Sequence, residues 1–428
     1  MKFELKGNKN YCATIVRIDN IIPLKNCDNI HGTLIFGNHV IIPNTVKIGD
    51  RGVFFPVETC ISQQFLAYNN LYRDKFLNTA EDKVGFFDQS GRVKCVKLRG
   101  YKSEGFWMPL TSLSFIMGSF TDITDGIEFD YINDKKICEK YVVKFISEPI
   151  SKKDRLNNKL NRFNKLIDNQ FRFHIDTEHF GKNTHKFDLY DIIYITEKLH
   201  GTSFIVSNIL CNRKLTWKDK IAKFFGAKIK NVEYDNIYAS RKMIKNQYLY
   251  DIPHSNYYTE DIWKVINSEL QPYLTKGMTI YGECVGFLKN GGAIQSKYDY
   301  RCKPKKHNNY IYRITTTDED GNVFEWPFIT VKQWCEKNKL KSVPLHYYGT
   351  IENLIKTNEI NWLEQFINYL TNFYLEKNCS ICNNKVPAEG ICIRKESLDV
   401  EIYKLKSFKF KELETKLLDK GETNIEDN

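Results

Sequence analysis

The sequence predicts an α+β chain of two modules, a small all-β module followed by a larger mixed one. Three observations carry this prediction. Residues 1–145 hold short runs of β-branched and aromatic residues separated by Gly, Asn and Pro. Residues 170–428 alternate strand-like with helix-like runs, and a basic segment at 146–169 stands between the two. At 428 residues, the chain has room for two to three domains with sizeable cores.

In the first module YCATIVRI, GTLIFG, HVIIP, GVFFPVE, VKCVKLRG and GFWMPL read as strands of a small β-barrel. Their spacing fits an OB-like barrel, an architecture whose open face commonly binds single-stranded nucleic acid, although a purely structural barrel fits the same pattern. The segment KKDRLNNKLNRFNKLI repeats Lys152, Arg155, Lys159 and Arg162 at helical spacing beside an apolar face of Leu156, Leu160, Phe163 and Ile167. It predicts a basic interdomain helix, either in contact with phosphates or merely solvated. Beyond it DIIYIT, MTIYGECVG, YIYRITTT and GICIRK read as strands, and TVKQWCEKNKL and WLEQFINYLTNFYLEK as helices. KGETNIEDN reads as a frayed tail.

Lys and Arg outnumber Asp and Glu by 63 to 52, a net charge of +11 that favours an anionic partner such as nucleic acid over an acidic protein surface. No apolar run reaches the ~18 residues of a membrane-spanning helix, so no membrane partner is expected. Twelve cysteines are too sparse for a disulfide scaffold, and MKFELKGNKN lacks a signal peptide's apolar stretch, so an intracellular, reducing compartment is expected without distinction between cytoplasm and nucleus. Cys379 and Cys382 in CSIC have metal-like spacing, but with only Cys392 nearby a structural zinc lacks its fourth ligand.

The densest chemistry lies in ITEKLHGTSF, residues 195–204. A lysine of ordinary pKa, about 10.4, is neutral in roughly one molecule in a few thousand at pH 7, and becomes a nucleophile only where neighbouring cations or burial favour the neutral amine. On this stretch alone, Lys198 reads equally well as a surface lysine after a strand. Its company is more specific. Ser240 and Arg241 in YASR, Glu283 in IYGE, Tyr312 in IYRI, Glu389 in VPAEGICIR, and Lys404 and Lys406 in EIYKLK follow in that order. The ordered set resembles the six collinear motifs of the covalent nucleotidyltransferase superfamily of polynucleotide ligases and capping enzymes. Glu197, Lys198 and His200 bring EKLHGTSF nearest to the nick-sealing, ATP-dependent RNA ligases. The resemblance spans about residues 170–412, from FRFHIDTEHF to YKLKSFKF. The first module, ending in VKLRGYKSEGFWMPL, resembles the N-terminal OB domain that some of these ligases carry. Ser203 stands where many relatives have asparagine.

The resemblance implies a nucleotidyltransferase domain built on antiparallel sheets and a three-step reaction. Lys198 attacks the α-phosphate of ATP and expels pyrophosphate, AMP passes to an RNA 5′-phosphate, and a 3′-OH displaces AMP. Such steps depend on positioning and on stabilising charge at the phosphoryl oxygens. Lys404 and Lys406, two apart on a strand, face one way and offer two cations to the phosphate, with the further effect of favouring neutral Lys198; a solvated strand edge guarded by lysines would look the same. Arg241 is implied to contact the ribose and then the RNA end, Glu283 to accept from a ribose hydroxyl, and Tyr312 to stack on the purine, with an ion-pair or cap role for Glu283 and a core role for Tyr312 left open. Glu389 and Glu197 are the carboxylates offered to Mg2+ or Mn2+, directly or through water, and Glu197 serves equally to position the adenylate. Leu199, His200 and Gly201 complete the nucleotide-binding set, with His200 read as pocket wall or as structural.

Residues 213–230 carry seven Lys or Arg and read as an amphipathic basic helix closed by Gly226. Lys218, Lys220 and Lys223 are expected on an RNA backbone. The partner expected overall is RNA, as a nicked duplex, bound by a monomer. A DNA ligase or capping enzyme usually carries its barrel after the last lysine motif, whereas only 428 − 406 = 22 residues follow Lys406. A non-catalytic RNA-binding protein remains the alternative of another class, but it needs none of the ordered set.

Overall fold

The structure, a computed structural model, describes residues 2–143, 165–174, 176–245, 260–357, 360–396 and 400–421. We number its longer strands and helices. The N-terminal module contains β1 (Ala13–Arg17), β2 (Ile30–Ile35), β3 (Asn38–Pro43), β4 (Arg51–Pro56), α1 (Gln63–Tyr68), β5 (Gly105–Pro109) and β6 (Glu128–Phe129). Strand order is β5-β4-β1-β6 in one sheet, and β2 and β3 pair in another, with Ile22–Pro23 at the edge. The apolar runs therefore form strands where expected, but their ladders close no barrel among the described residues. Alternation sets the core: Ala13, Ile15, Val53 and Phe55 point inward to Phe65, Leu113 and Phe129, all buried.

The larger module has two antiparallel sheets. The first places β14 (Glu401–Lys406), β13 (Gly390–Lys395), β7 (Ile192–Lys198) and β12 (Leu345–Thr350) side by side, with the short strand Glu178–His179 lying parallel to β14 at one edge. The second runs β9 (Val232–Ala239), β8 (Thr202–Asn212), β10 (Met278–Gly286) and β11 (His307–Thr317), then Val323–Glu325. Every residue of β10 is buried, so MTIYGECVG forms a central strand covered on both faces. Helices α3 (Ile262–Leu270) and α4 (Phe328–Lys337) pack Ile262, Ile266, Leu270, Val331 and Cys335 beneath this sheet. Asp261 caps α3 through the amide of Lys264, and a run of i, i+4 apolar residues gives the helix one buried face. Helix α5 (Trp362–Leu370) covers the first sheet through Phe366 and Leu370. Tyr194, Leu199, Val285, Tyr298, Tyr300, Phe328 and Phe410 form one apolar cluster that draws on both sheets.

The basic interdomain helix lies outside the described residues from 144 to 164. Residues 165–170 carry no helix: Leu166 bridges Cys211 on β8, and Lys165 pairs with Asp235. Pairing to an existing sheet wins there over local helical periodicity. The expected tail lies outside the description from residue 422. Helix α2 (Trp217–Phe224) forms inside 213–230 as the sequence predicts.

Helix α6 (Phe408–Asp419), capped by Ser407, joins the modules. Lys411 donates to Asn38 at 2.9 Å and to Glu104 at 3.1 Å. Thr415 donates to Glu58 at 3.1 Å, and Arg92 reaches Glu58 at 3.2 Å and also Asp419. On the other side Lys182 donates to Glu128 at 2.8 Å and Thr14 at 3.2 Å.

Burial pushes the Glu58 carboxyl up to about 7 from an ordinary 4.5, with Arg92 only partly opposing it. Between those values the folded protein holds a proton that the unfolded chain has released, so stability falls as pH rises through that window. Urea unfolding of the wild type should show this loss, with an upper bound of about 3 kcal/mol. Glu58→Gln should remove the slope and be the more stable form at pH 8; an unchanged slope would place the proton elsewhere.

Candidate active site

The stretch around Lys198 is itself the crossover between the sheets. β7 ends at Lys198, Leu199–Gly201 make the passage, and β8 begins at Thr202. Gly201 is needed there by contact: a Cβ would lie 2.3 Å from the carbonyl of Cys284 on β10. Its amide donates to Glu283 at 3.1 Å, and the Ser203 hydroxyl donates to the other Glu283 oxygen at 3.0 Å. Ser203, the departure from the asparagine pattern, thus holds Glu283, directly opposite it across β8 and β10.

On the other sheet, register aligns the cations. Lys198 on β7 faces Gly390 on β13, which faces Lys406 on β14, and one step along Thr196, Cys392 and Lys404 form the parallel row. Gly390 permits the strands to approach, because a Cβ there would lie 1.9 Å from the carbonyl of Leu405. Glu389, immediately before it, is buried with its side chain wholly out of solvent. Its Oε1 lies 2.6 Å from Lys198 Nζ and 3.7 Å from Lys406 Nζ, and Oε2 lies 3.9 Å from His200 Nδ1. Lys406 is held further by Glu414, 3.2 Å away. Beside the two lysines that the sequence places near Lys198, a buried carboxylate is thus in direct contact with its amine.

One cavity gathers Glu197, Lys198, Leu199, Arg241, Glu283, Tyr312, Lys404 and Lys406 on its wall. Tyr312 reaches it through a bulge. Tyr281 pairs with Arg313 and Gly282 with Ile311, so Tyr312 is the extra residue of β11, re-aimed from the ladder. Its hydroxyl lies 3.4 Å from His174 Nδ1. Three sequence-expected residues, Glu389, His200 and Gly201, stand behind this wall. The His200 ring sits edge-on to Tyr298 and Phe410, 5.1 and 4.9 Å between centroids, while its amide donates to the Tyr300 hydroxyl at 2.7 Å.

Other residues carried no signal of their own in the sequence. Asp176 accepts from Arg241 Nε at 3.0 Å and from Asn8 of the N-terminal module at 2.9 Å. Burial alone would raise its carboxyl, but the Arg241 guanidinium, with Lys404 and His174, holds it below the usual carboxylate range. His346 Nε2 lies 2.9 Å from Glu197, and Ser380, within CSIC, donates to the same oxygen at 3.4 Å. Asn8, Tyr11 and Lys140 bring the N-terminal module to the cavity wall. Cys379 and Cys382 are buried in the apolar cluster beside Tyr298 and Tyr300. Among the described residues no group of three or more His, Cys, Asp or Glu could hold a metal unaided. Glu389 and Glu197 are both buried, Glu197 on the cavity wall and Glu389 behind it. Three lysines on two neighbouring rows, beside a hydroxyl-binding carboxylate, an aromatic ring and a buried carboxylate, can seat a nucleotide for attack by an amine.

The RNA ligase family model matches residues 191–411, slightly more than half of the chain. No protein among the curated sequences matches. Among solved structures the chain is similar to a Naegleria gruberi RNA ligase mutant with ATP and Mn, at 15% identity and a TM-score of 0.56, over 95% of this chain and 99% of that one. It is similar to the Naegleria gruberi RNA ligase with PPi at 17% identity and a TM-score of 0.55, over 94% and 97% of the two chains. At these identities the likeness shows the fold.

Contact with Glu389 should protect Lys198 from amine-modifying reagents in nucleotide-free protein. Glu389→Gln should speed its modification at neutral pH by about tenfold or more, as followed by peptide mass spectrometry. An unchanged rate would mean that this carboxylate does not hold the ammonium.

Proposed function

The chain belongs to the RNA ligase family, and from that membership we propose that it seals RNA 3′-OH and 5′-phosphate ends at nicks in duplexes, using ATP and a lysyl-AMP intermediate. The observation that carries this reading is the placement of Lys198 and Lys406 on one buried carboxylate, Glu389, at the wall of a cavity that also presents Glu283 and Tyr312.

Within this reading Tyr312 stacks on the adenine and Glu283, already fixed by Gly201 and Ser203, accepts from a ribose hydroxyl. Lys404 and Lys406 hold negative charge on the α-phosphate. The neutral Lys198 amine attacks that phosphorus in line with the departing pyrophosphate, forming the N–P bond as the P–O bond breaks. Before this, Lys198 must part from Glu389 and pass its proton to solvent. Glu389 and Glu197 would hold Mg2+ or Mn2+, which supplies charge neutralisation at the phosphates when bound. Solved relatives recorded with ATP, AMP and Mn are in keeping with that ligand chemistry. Arg241, oriented by Asp176, takes the ribose and then the adenylylated 5′ end. AMP passes from Lys198 to the RNA 5′-phosphate, whose oxygen bonds the AMP phosphorus as the N–P bond breaks, and the 3′-OH finally attacks the 5′-phosphorus, forming the phosphodiester as AMP leaves. The N-terminal module, read as an OB-like barrel, docks the nicked duplex beside the cavity, and the enzyme acts as a monomer.

The test is sealing of a nicked RNA duplex with ATP and Mg2+ or Mn2+. Wild type should seal it, whereas Lys198→Ala should fail on a 5′-phosphate yet join a strand supplied with its 5′ end already adenylylated. A Lys198→Ala enzyme that seals the 5′-phosphate strand would refute the lysyl-AMP route, and a wild type that binds RNA without sealing would leave a binding protein. Tyr312→Leu should raise the ATP KM about tenfold with a smaller change in kcat; an unchanged KM would remove Tyr312 from the purine.

A further inference from the structure

Between β8 and β9 the chain leaves the body of the protein. Residues 213–230 carry seven Lys or Arg against one acid, Asp219. Their helix α2 has no buried residue, so tertiary packing among the described residues does not hold it. Its ends do. Thr216 and Asp219 form a reciprocal capping box. At the other end Gly226, at φ +85°, closes the helix as its amide donates to Lys223 and that of Ala227 to Ala222. Local caps thus maintain a helix on which none of the described residues packs an apolar side chain.

What this helix shows to solvent is apolar as well as basic. Trp217 is 67% exposed, Ile221 47%, Phe224 85% and Phe225 79%. At 100° per residue they fall in one arc of about 100°, with Lys218 and Lys220 on its two flanks. β8 extends eleven residues from the cavity, which puts the helix roughly 30 Å from Lys198. Duplex RNA would satisfy the lysines through its phosphates, but its paired bases are stacked inside and leave four large apolar side chains in water. A lipid surface takes both: acidic headgroups for the lysines and the acyl boundary for the stripe.

We propose that residues 216–230 are an interfacial anchor that lies in the headgroup layer of a membrane rich in anionic phospholipid. This replaces the RNA-backbone contact expected for Lys218, Lys220 and Lys223, and it needs no membrane-spanning segment. It stands independently of the ligase chemistry.

The test is co-sedimentation of the full chain with vesicles of phosphatidylcholine, with and without phosphatidylserine, over a salt series, beside RNA affinity. Wild type should bind the phosphatidylserine vesicles and release them as salt rises. Phe224→Ala with Phe225→Ala should lower partitioning about tenfold or more while RNA affinity holds. Replacing Lys218, Lys220 and Lys223 by Gln should lower it about fivefold per lysine and remove the lipid preference. Both sets of side chains are exposed, and thermal unfolding should match wild type. Failure of wild type to bind phosphatidylserine vesicles at low salt, or an apolar double variant that binds them as well as wild type, overturns the proposal. Loss of RNA affinity in the double variant, with vesicle binding intact, assigns the helix to RNA and overturns it too.

Discussion

A carboxylate buried between two lysines is the constraint on which the rest of the site depends. Glu389 has no solvent to share its charge with, so Lys198 and Lys406 must stay beside it. Removing one partner of such a pair costs about 3–5 kcal/mol, because the charge left behind is stranded. Everything around it serves that arrangement. Three strands hold the two lysines in one row, Gly390 lets the strands close, and Glu414 fixes Lys406 from behind. In the proposed reaction the same pair acts as a restraint on chemistry. For Lys198 to act it must leave Glu389, which keeps Lys406 beside it.

The second organising feature is the involvement of the N-terminal module in the cavity. Asn8 and Arg241 both donate to Asp176, so one carboxylate ties the module's first residues to a cavity arginine. Lys182 and α6 hold the module on either side of β14, the strand that carries Lys404 and Lys406. These contacts join the module directly to the strand and to the arginine that handle phosphate in the proposed mechanism.

Much of the site was legible because it is encoded by neighbours in sequence. EKLHGTSF sets a strand end, a glycine passage and a strand start, and EIYKLK puts two lysines on one face by its period of two. The cavity role of Tyr312 rested on motif order; the bulge that delivers it is visible only once Gly282 is seen under Phe204 and Tyr310. Asp176, His346 and Ser380 escaped because their partners lie 65, 149 and 183 residues away in sequence, and no local pattern marks such pairs. Local strand runs predicted the strands of the first module but not how they join, since closure depends on pairing between distant segments. The helix at 217–224 was legible from its charge and its closing glycine, whereas its exposed apolar stripe was not, because exposure is a property of what fails to pack on it.

The central claim is that Lys198, released from Glu389, carries the adenylate. Intact-mass and peptide analysis of the protein after incubation with ATP tests it most directly, with and without divalent metal. A gain of one AMP is expected, mapped to Lys198 and formed only when metal is present. An adduct on another residue, or ATP turned over with no adduct formed at any time, would contradict it.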